Sequence, residues 1–176
     1  VNITADCPFV DPYYIDLIID SYKTTNGDLI RSWDLPHGAF SYGIKTEALK
    51  KVANLKNSND TEVWYQYFTD TGLFNVIDLD IKNTFHKRPG LRMTLDYPED
   101  WQFFHSIFDE LYKEGEVFTL DQILQLLDDK PEIVELNKHC SAKFYKRYSR
   151  QSAIKLKKTQ SVNKVLMIGC GSIGQR

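Results

Sequence analysis

Two aspartates, each set just after a short strand-like run, are the side chains of this sequence best placed to do chemistry. Asp6 closes Ile3-Thr4-Ala5-Asp6 and is followed by Cys7-Pro8. Asp96 closes Arg92-Met93-Thr94-Leu95-Asp96 and is followed by Tyr97-Pro98. In open α/β folds ligands bind at the carboxyl ends of strands. Two carboxylates delivered there from different strands form a natural seat for Mg²⁺ carrying a nucleoside triphosphate, because Mg²⁺ takes one or two carboxylates and keeps several waters. The metal then neutralises the triphosphate and positions the α-phosphate for attack. Many aspartates after strands are simply helix caps. Asp11 reads as the N-cap of its helix and Asp100 as a favourable charge in a helix first turn.

The elements that must position these groups alternate between strand and helix. Val1 to Thr4 is short and β-branched and predicts a buried strand. Asp11-Pro12 opens a helix with Ile15, Ile18, Ile19 and Tyr22 on one apolar face, ended by Asn26-Gly27. A strand over Asp28 to Trp33 follows, then a loop from Asp34 to Tyr42 punctuated by Pro36 and Gly38, and a short strand at Ile44. Thr46 is expected to cap a helix to Leu55, and a short helix is expected over Thr61 to Phe68. Ile77, Leu79 and Ile81 alternate with polar residues, as a strand with one wet face does. Leu91 to Asp96 predicts a strand feeding a helix from Pro98, with Trp101, Phe104, Ile107, Phe108 and Leu111 as its core face. Thr119 and Gln122 make a capping box, and Pro131 opens a last helix to about His139. This alternation predicts a three-layer α/β domain.

Composition excludes several classes. The chain has 176 residues, 42% hydrophobic and 26% charged, enough for one globular domain with a core. Its apolar runs are too short to span a bilayer, so no membrane insertion is expected. The three cysteines, Cys7, Cys140 and Cys170, make a poor disulfide framework and have no zinc spacing, which favours a reducing cytoplasm. The charge is divided. Before Cys140 stand thirteen basic residues against twenty-four acidic ones; after it stand nine basic residues and no acidic one. An acidic body argues against nucleic acid as a partner, and the basic stretch from 141 to 162 reads as a linker. Cys7 reads as a small buried side chain, and His37, beside Gly38, as a loop histidine within reach of a substrate. His86, His105 and His139 fit no metal spacing.

Several blocks, in order, resemble a known family. Ala5-Asp6-Cys7-Pro8-Phe9-Val10-Asp11-Pro12 resembles the "GDCPLIDP" segment of cytidylyltransferase-like proteins of the spore coat polysaccharide F type, relatives of the enzymes that activate Kdo and sialic acids as CMP-sugars. Leu91 to Asp100 resembles their "LRWTLDTPED", and Phe118 to Leu124 with Pro131 to Asn137 resembles their "FSLEDIL…PELLEIN". The resemblance covers residues 1–140 and implies a nucleotide-diphospho-sugar transferase fold, Rossmann-like, with a mixed sheet. The implied reaction is CTP plus an acidic or related sugar giving CMP-sugar and pyrophosphate, with Asp6 and Asp96 as Mg²⁺ ligands. It places Gly38 in the sugar-side loop and Glu62 in an "EHVT"-like block. Arg92 is assigned either to a substrate phosphate or carboxylate or to a structural salt bridge.

The departures fall on the substrate side. Trp64 and its neighbours replace the His-Val-Thr of that block, and Phe40 and Tyr42 stand where many relatives carry Asp and Glu, which adds Tyr42 to the candidate substrate contacts. Tyr97 replaces a capping Thr or Ser. The family's Arg/Gly/Lys-rich nucleotide loop is expected upstream of Val1, so the sequence, which lacks an initial Met, reads as a fragment inactive alone, its fold incomplete at the N-terminus.

Beyond the linker, Lys164 to Ile168 reads as a strand running into Gly169-Cys170-Gly171-Ser172-Ile173-Gly174. Gly169, Gly171 and Gly174 suit the close backbone approach of a dinucleotide pyrophosphate. Residues 163–176 resemble the opening of Gfo/Idh/MocA-type oxidoreductases, which implies NAD(P) as a second cofactor of a fused chain. A second reading stays open: a non-catalytic sugar-binding or scaffolding domain of a bifunctional protein whose main activity is that oxidoreductase. A homodimer is carried as a further expectation.

Overall fold

Asp11 and Pro12 start the first helix for the reasons the sequence predicts. The Asp11 carboxylate accepts the Tyr13 N–H at 2.8 Å, and Pro12 occupies a position that needs no amide donor. In the computed structural model, which describes residues 1–59, 64–151 and 153–157, this helix is α1 (Pro12–Thr25). It ends at Asn26, held left-handed at φ 49°. Its buried residues are Tyr14 and Ile18, whereas Ile19 and Tyr22 are partly exposed. The inward face is therefore turned toward Tyr14 from the one expected.

Strands β1 (Leu29–Arg31), β2 (Gly43–Ile44) and β3 (Val76–Asp78) form one sheet in the order β2-β1-β3. β1 pairs antiparallel with β2 and parallel with β3, so the sheet is mixed. Successive residues of β1 enter different cores, as the period of a strand requires. Leu29 packs with Ala48 and Val52 of α2 (Thr46–Leu55) and Tyr67 and Phe68 of α3 (Tyr65–Thr69). Ile30 packs with Ile18 of α1 and with Phe103 and Ile107 of α4 (Pro98–Leu111). Helices thus cover both faces, giving the three-layer α/β arrangement. α5 (Leu120–Asp129) and the short α6 (Pro131–Glu135) extend the second core through Ile123, Leu124, Leu127 and Ile133. Thr119 and Gln122 form the expected capping box at the start of α5.

Several expectations are corrected. Val1 to Thr4 forms a single antiparallel bridge, Asn2 to Tyr42, and Val1 and Ile3 are exposed. Thr46 is not a cap: it lies inside α2, whose N-cap is Lys45, without a side-chain bond. Leu91 to Asp96 is extended but joins no ladder; it makes one parallel bridge, His37 to Arg92. On α4, Trp101 is 60% exposed and Phe103 fully buried, so the apolar stripe is shifted from the predicted one. The first part of the stretch from 141 to 162 read as a linker is helical, in α7 (Cys140–Gln151). Cys140, Phe144 and Tyr148 recur every four residues along it, an apolar stripe that the abundance of lysine and arginine obscured.

Candidate functional site

The loop after β1 turns inward rather than out to solvent. Leu35 and the run from Gly38 to Ser41 are buried. His37 donates its backbone N–H to the Leu91 carbonyl at 2.9 Å, and its carbonyl accepts from Met93 at 2.7 Å. The far side of the same extended segment meets the N-terminal stretch, where Leu95 N–H donates to the Asp6 carbonyl at 2.8 Å. These three backbone contacts bring Asp6 and Asp96 to one small cavity of about 100 Å³. Its walls include Asp6, Asp96, His37, Gly38, Tyr42 and Phe144.

Gly38 is required there on two grounds. Its φ is +102°, and a Cβ would overlap the Met93 carbonyl oxygen. The His37 imidazole is held below its ordinary pKa, first by burial and then by the nearby Arg92 guanidinium, so the ring is neutral at physiological pH. Burial also pushes the Cys7 thiol up to about 11, reinforced by Asp6 against a bond from Thr4 that pulls the other way. Cys7 is thus a protonated thiol, consistent with a packing rather than a nucleophilic role. Burial likewise raises the Tyr42 phenol.

Asp96 is held by its neighbours. Arg92 Nη2 donates to its Oδ2 at 2.6 Å and Thr94 Oγ1 to the same oxygen at 3.1 Å. Arg147 of α7 approaches Oδ1 at 3.4 Å. Arg92 itself is 2% exposed and is gripped by Asp100 through Nε–Oδ1 at 2.9 Å and Nη2–Oδ2 at 3.0 Å. These contacts are those of the structural salt-bridge alternative for Arg92, which does not line the cavity. Asp100 Oδ2 also accepts the backbone N–H groups of Asp96 (2.9 Å) and Tyr97 (3.0 Å), and Asn137 Nδ2 donates to Oδ1 at 2.9 Å. Burial alone would raise the Asp100 carboxyl, but the bonds from Arg92 and the Asp96 amide hold it below its ordinary value. Asp100 thereby supplies from inside α4 the cap that Tyr97 lacks.

Sequence reasoning missed Asp100 and Asn137 as members of this network, although both lie in the blocks it singled out. It also missed Phe144, Arg147 and Tyr148, because they belong to α7. The signal of Phe144 and Tyr148 was present in the four-residue recurrence noted above. Glu62 lies outside the described residues, as do Gly169, Gly171 and Gly174. Glu99, His139 and Cys140 bring ligand-type atoms within 4.8 Å of one another. There the Lys143 ammonium already sits 2.9 Å from Glu99 Oε1 and, with other bonds, holds that carboxyl down at about 2. Among the described residues no helix is long and apolar enough to cross a membrane.

A second, larger opening of about 470 Å³ adjoins the first, with Asn2, Thr4, His37, Phe40, Tyr42 and Phe144 common to both. Its walls are mainly aromatic: Trp33, Tyr42, Trp64, Tyr65, Phe144 and Tyr148. Phe144 and Tyr148 stack at 5.8 Å and 13°, and Tyr42 meets Trp64 edge-on at 5.2 Å.

Superposition on a solved structure shows that the mixed sheet between helical layers is a cytidylyltransferase, nucleotide-sugar transferase-like fold. A cytidylyltransferase from Leptospira borgpetersenii superposes on it with a TM-score of 0.60 at 18% identity, over 73% of this chain and 55% of the other. By sequence, the chain is similar to an uncharacterised protein of Methanocaldococcus jannaschii, 28% identical over 150 residues. It is also similar to the spore coat polysaccharide biosynthesis protein SpsF of Bacillus subtilis, 22% identical over 135 residues. These matches cover 83% and 75% of this chain, but 60% and 55% of the relatives' lengths. No family model matches the chain.

Proposed function

We propose that this chain is part of a nucleotidyltransferase of cytidylyltransferase type, which transfers CMP from CTP to a sugar and releases pyrophosphate, in the making of a surface polysaccharide or related glycan. The observation that carries this reading is the meeting of Asp6 and Asp96, from separate segments, at one cavity. The likeness to SpsF and to the Leptospira cytidylyltransferase supports it.

The donor set fits Mg²⁺. Both groups offer hard carboxylate oxygens. Asp6 Oδ1 has a long contact with the Cys7 thiol at 3.7 Å, and Asp96 Oδ1 has the 3.4 Å contact to Arg147, neither of which saturates a carboxylate oxygen. A bound Mg²⁺ would supply charge neutralisation at the triphosphate. The protein's own part is orientation. Arg92 and Thr94 fix Oδ2 of Asp96, while Oδ1 has only the 3.4 Å contact to Arg147. Gly38 keeps the loop backbone close against Met93 at the cavity wall. The preference for CTP rests on the resemblance of the aspartate-bearing blocks.

A non-catalytic sugar-binding or scaffolding role is the second reading, favoured by the aromatic Phe40, Tyr42 and Trp64 on the walls. In that case the main activity would belong to an NAD(P)-dependent oxidoreductase domain introduced by Gly169, Gly171 and Gly174. The two separate cleanly by assay. Pyrophosphate release that requires CTP, Mg²⁺ and a sugar, measured on the protein in its full length, supports the transferase. Sugar binding without release under any nucleotide or metal condition supports the scaffold.

A further inference from the structure

The aromatic opening beside the two aspartates has an unusual balance of groups. Apart from the His37 imidazole, the formal charges on its described walls are one guanidinium, Arg31, and one carboxylate, Asp70. Arg31 is already committed. Its Nε donates to Asp78 Oδ1 at 2.5 Å, its Nη1 donates to the Tyr65 hydroxyl, and its guanidinium lies 5.0 Å from the Trp33 ring. A substrate carboxylate would have to share Arg31 with Asp78, whose charge already offsets the guanidinium, while facing Asp70. The Tyr65 hydroxyl accepts from Arg31 and the Tyr148 hydroxyl from the Gln66 side-chain amide, so each keeps its proton to donate to a sugar hydroxyl, and the Thr69 hydroxyl donates to Asp70. Gln66, 8% exposed, keeps its Oε1 without a partner. The volume, about 470 Å³, is that of a small-molecule site.

Resting on the transferase reading above, we infer that this cleft receives an uncharged sugar presenting an apolar face to the aromatic walls, rather than a carboxylated sugar. Aromatic rings offer broad apolar contact, which suits a sugar face of C–H groups and gains nothing from a carboxylate. A buried charge without a free counter-charge is costly, and here the one cation is paired. Phe40 and Tyr42 bring rings and no formal charge to the wall they share.

The test is calorimetric titration with matched sugars of gluco, galacto and manno configuration, each as the 6-deoxy, 6-hydroxy and 6-carboxylate form. Titrations are run with and without CTP and Mg²⁺. In at least one configuration the 6-deoxy form is expected to bind at least tenfold more tightly than the 6-carboxylate form. Trp33→Ala, at a side chain 56% exposed and so tolerant of truncation, is expected to weaken that binding at least fivefold with an unchanged melting temperature. A 6-carboxylate that binds as well as or better than its 6-deoxy partner in every configuration overturns the inference, as does no binding by any member of the panel. Because the readout is sugar binding, a protein that binds the neutral sugar yet never releases pyrophosphate would overturn the transferase reading alone. Turnover of a carboxylated sugar only would overturn this inference alone.

Discussion

Arg92 and Asp100 form a two-point ion pair in the core, at 2.9 and 3.0 Å, and the same guanidinium holds Asp96 at 2.6 Å. With Arg92 2% exposed and Asp100 fully buried, neither charge has water to fall back on. The candidate metal-binding carboxylate is thus anchored to a buried pair, and the pair is anchored in turn by Asn137, which also donates to the Arg92 carbonyl at 3.3 Å.

Removing one partner leaves the other charged and buried. Asp100→Ala is expected to cost about 3–5 kcal/mol of stability, read as a lower urea midpoint. The paired replacement of Arg92 by Met and Asp100 by Leu is expected to cost less than Asp100→Ala, because the buried guanidinium leaves with its partner while Asp96, part-exposed, keeps its contacts to Thr94 and Arg147. A single variant within about 0.5 kcal/mol of the parent would contradict the account of this pair.

The same pair sets an acid limit. The Asp100 carboxyl titrates below its ordinary value in the folded protein and near about 3.9 once unfolded. A group depressed in this direction stabilises the fold above its unfolded pKa, and the contribution is lost as pH falls through its folded pKa. Stability from Asp100 is therefore expected to be intact at pH 5 to 7 and to drain away below about pH 4. Urea midpoints measured from pH 7 to pH 3 should fall less steeply below pH 4 in Asp100→Asn than in the parent. Equal slopes would show that Asp100 carries no such linkage.

Two glycines with positive φ should respond differently to alanine. Gly72, at φ +68°, has open space around it, so Gly72→Ala meets backbone strain alone, about 1 kcal/mol. Gly38→Ala adds overlap with the Met93 carbonyl and is expected to cost more than about 3 kcal/mol or to push the loop into the cavity. Denaturation of the two variants side by side measures the difference. Equal losses would remove the argument for a tight loop.

Helix capping offers a local comparison. Thr119 Oγ1 accepts the Gln122 N–H at 3.3 Å, and Gln122 Oε1 accepts the Thr119 N–H at 2.8 Å. Thr119→Ala is expected to cost about 1 kcal/mol. Thr46→Ala, at a position the sequence marked as a cap and the structure does not, is expected to cost less than about 0.5 kcal/mol. Thermal melts of both variants decide it.

These contrasts show what was legible in the sequence. Asp11-Pro12 and the Thr119/Gln122 box are local devices, encoded within a few residues, and they were read correctly. The alternation of strands and helices was enough for the layered α/β class. Thr46 failed because a threonine before a helical run is compatible with both a cap and a first turn. Asp100 was read only as a favourable charge in a helix first turn because its burial depends on Arg92 and on Asn137, 37 residues further along. Trp101 was assigned inward because helical period alone does not decide between neighbouring faces; the packing chose Phe103. The contribution of α7 was hidden by its basic composition, and its aromatic stripe gained meaning only against His37 and the cleft.

The claim that Asp6 and Asp96 together seat the metal of a nucleotidyl transfer is tested most directly by pyrophosphate release from CTP and sugar in the full-length protein, comparing Asp6→Asn and Asp96→Asn with the parent. Each substitution keeps the side chain's size while removing its charge. The account predicts a loss on the order of 100-fold or more in each variant, with melting temperature preserved in Asp6→Asn, whose carboxylate accepts only a weak thiol contact. Full turnover in either variant would contradict it.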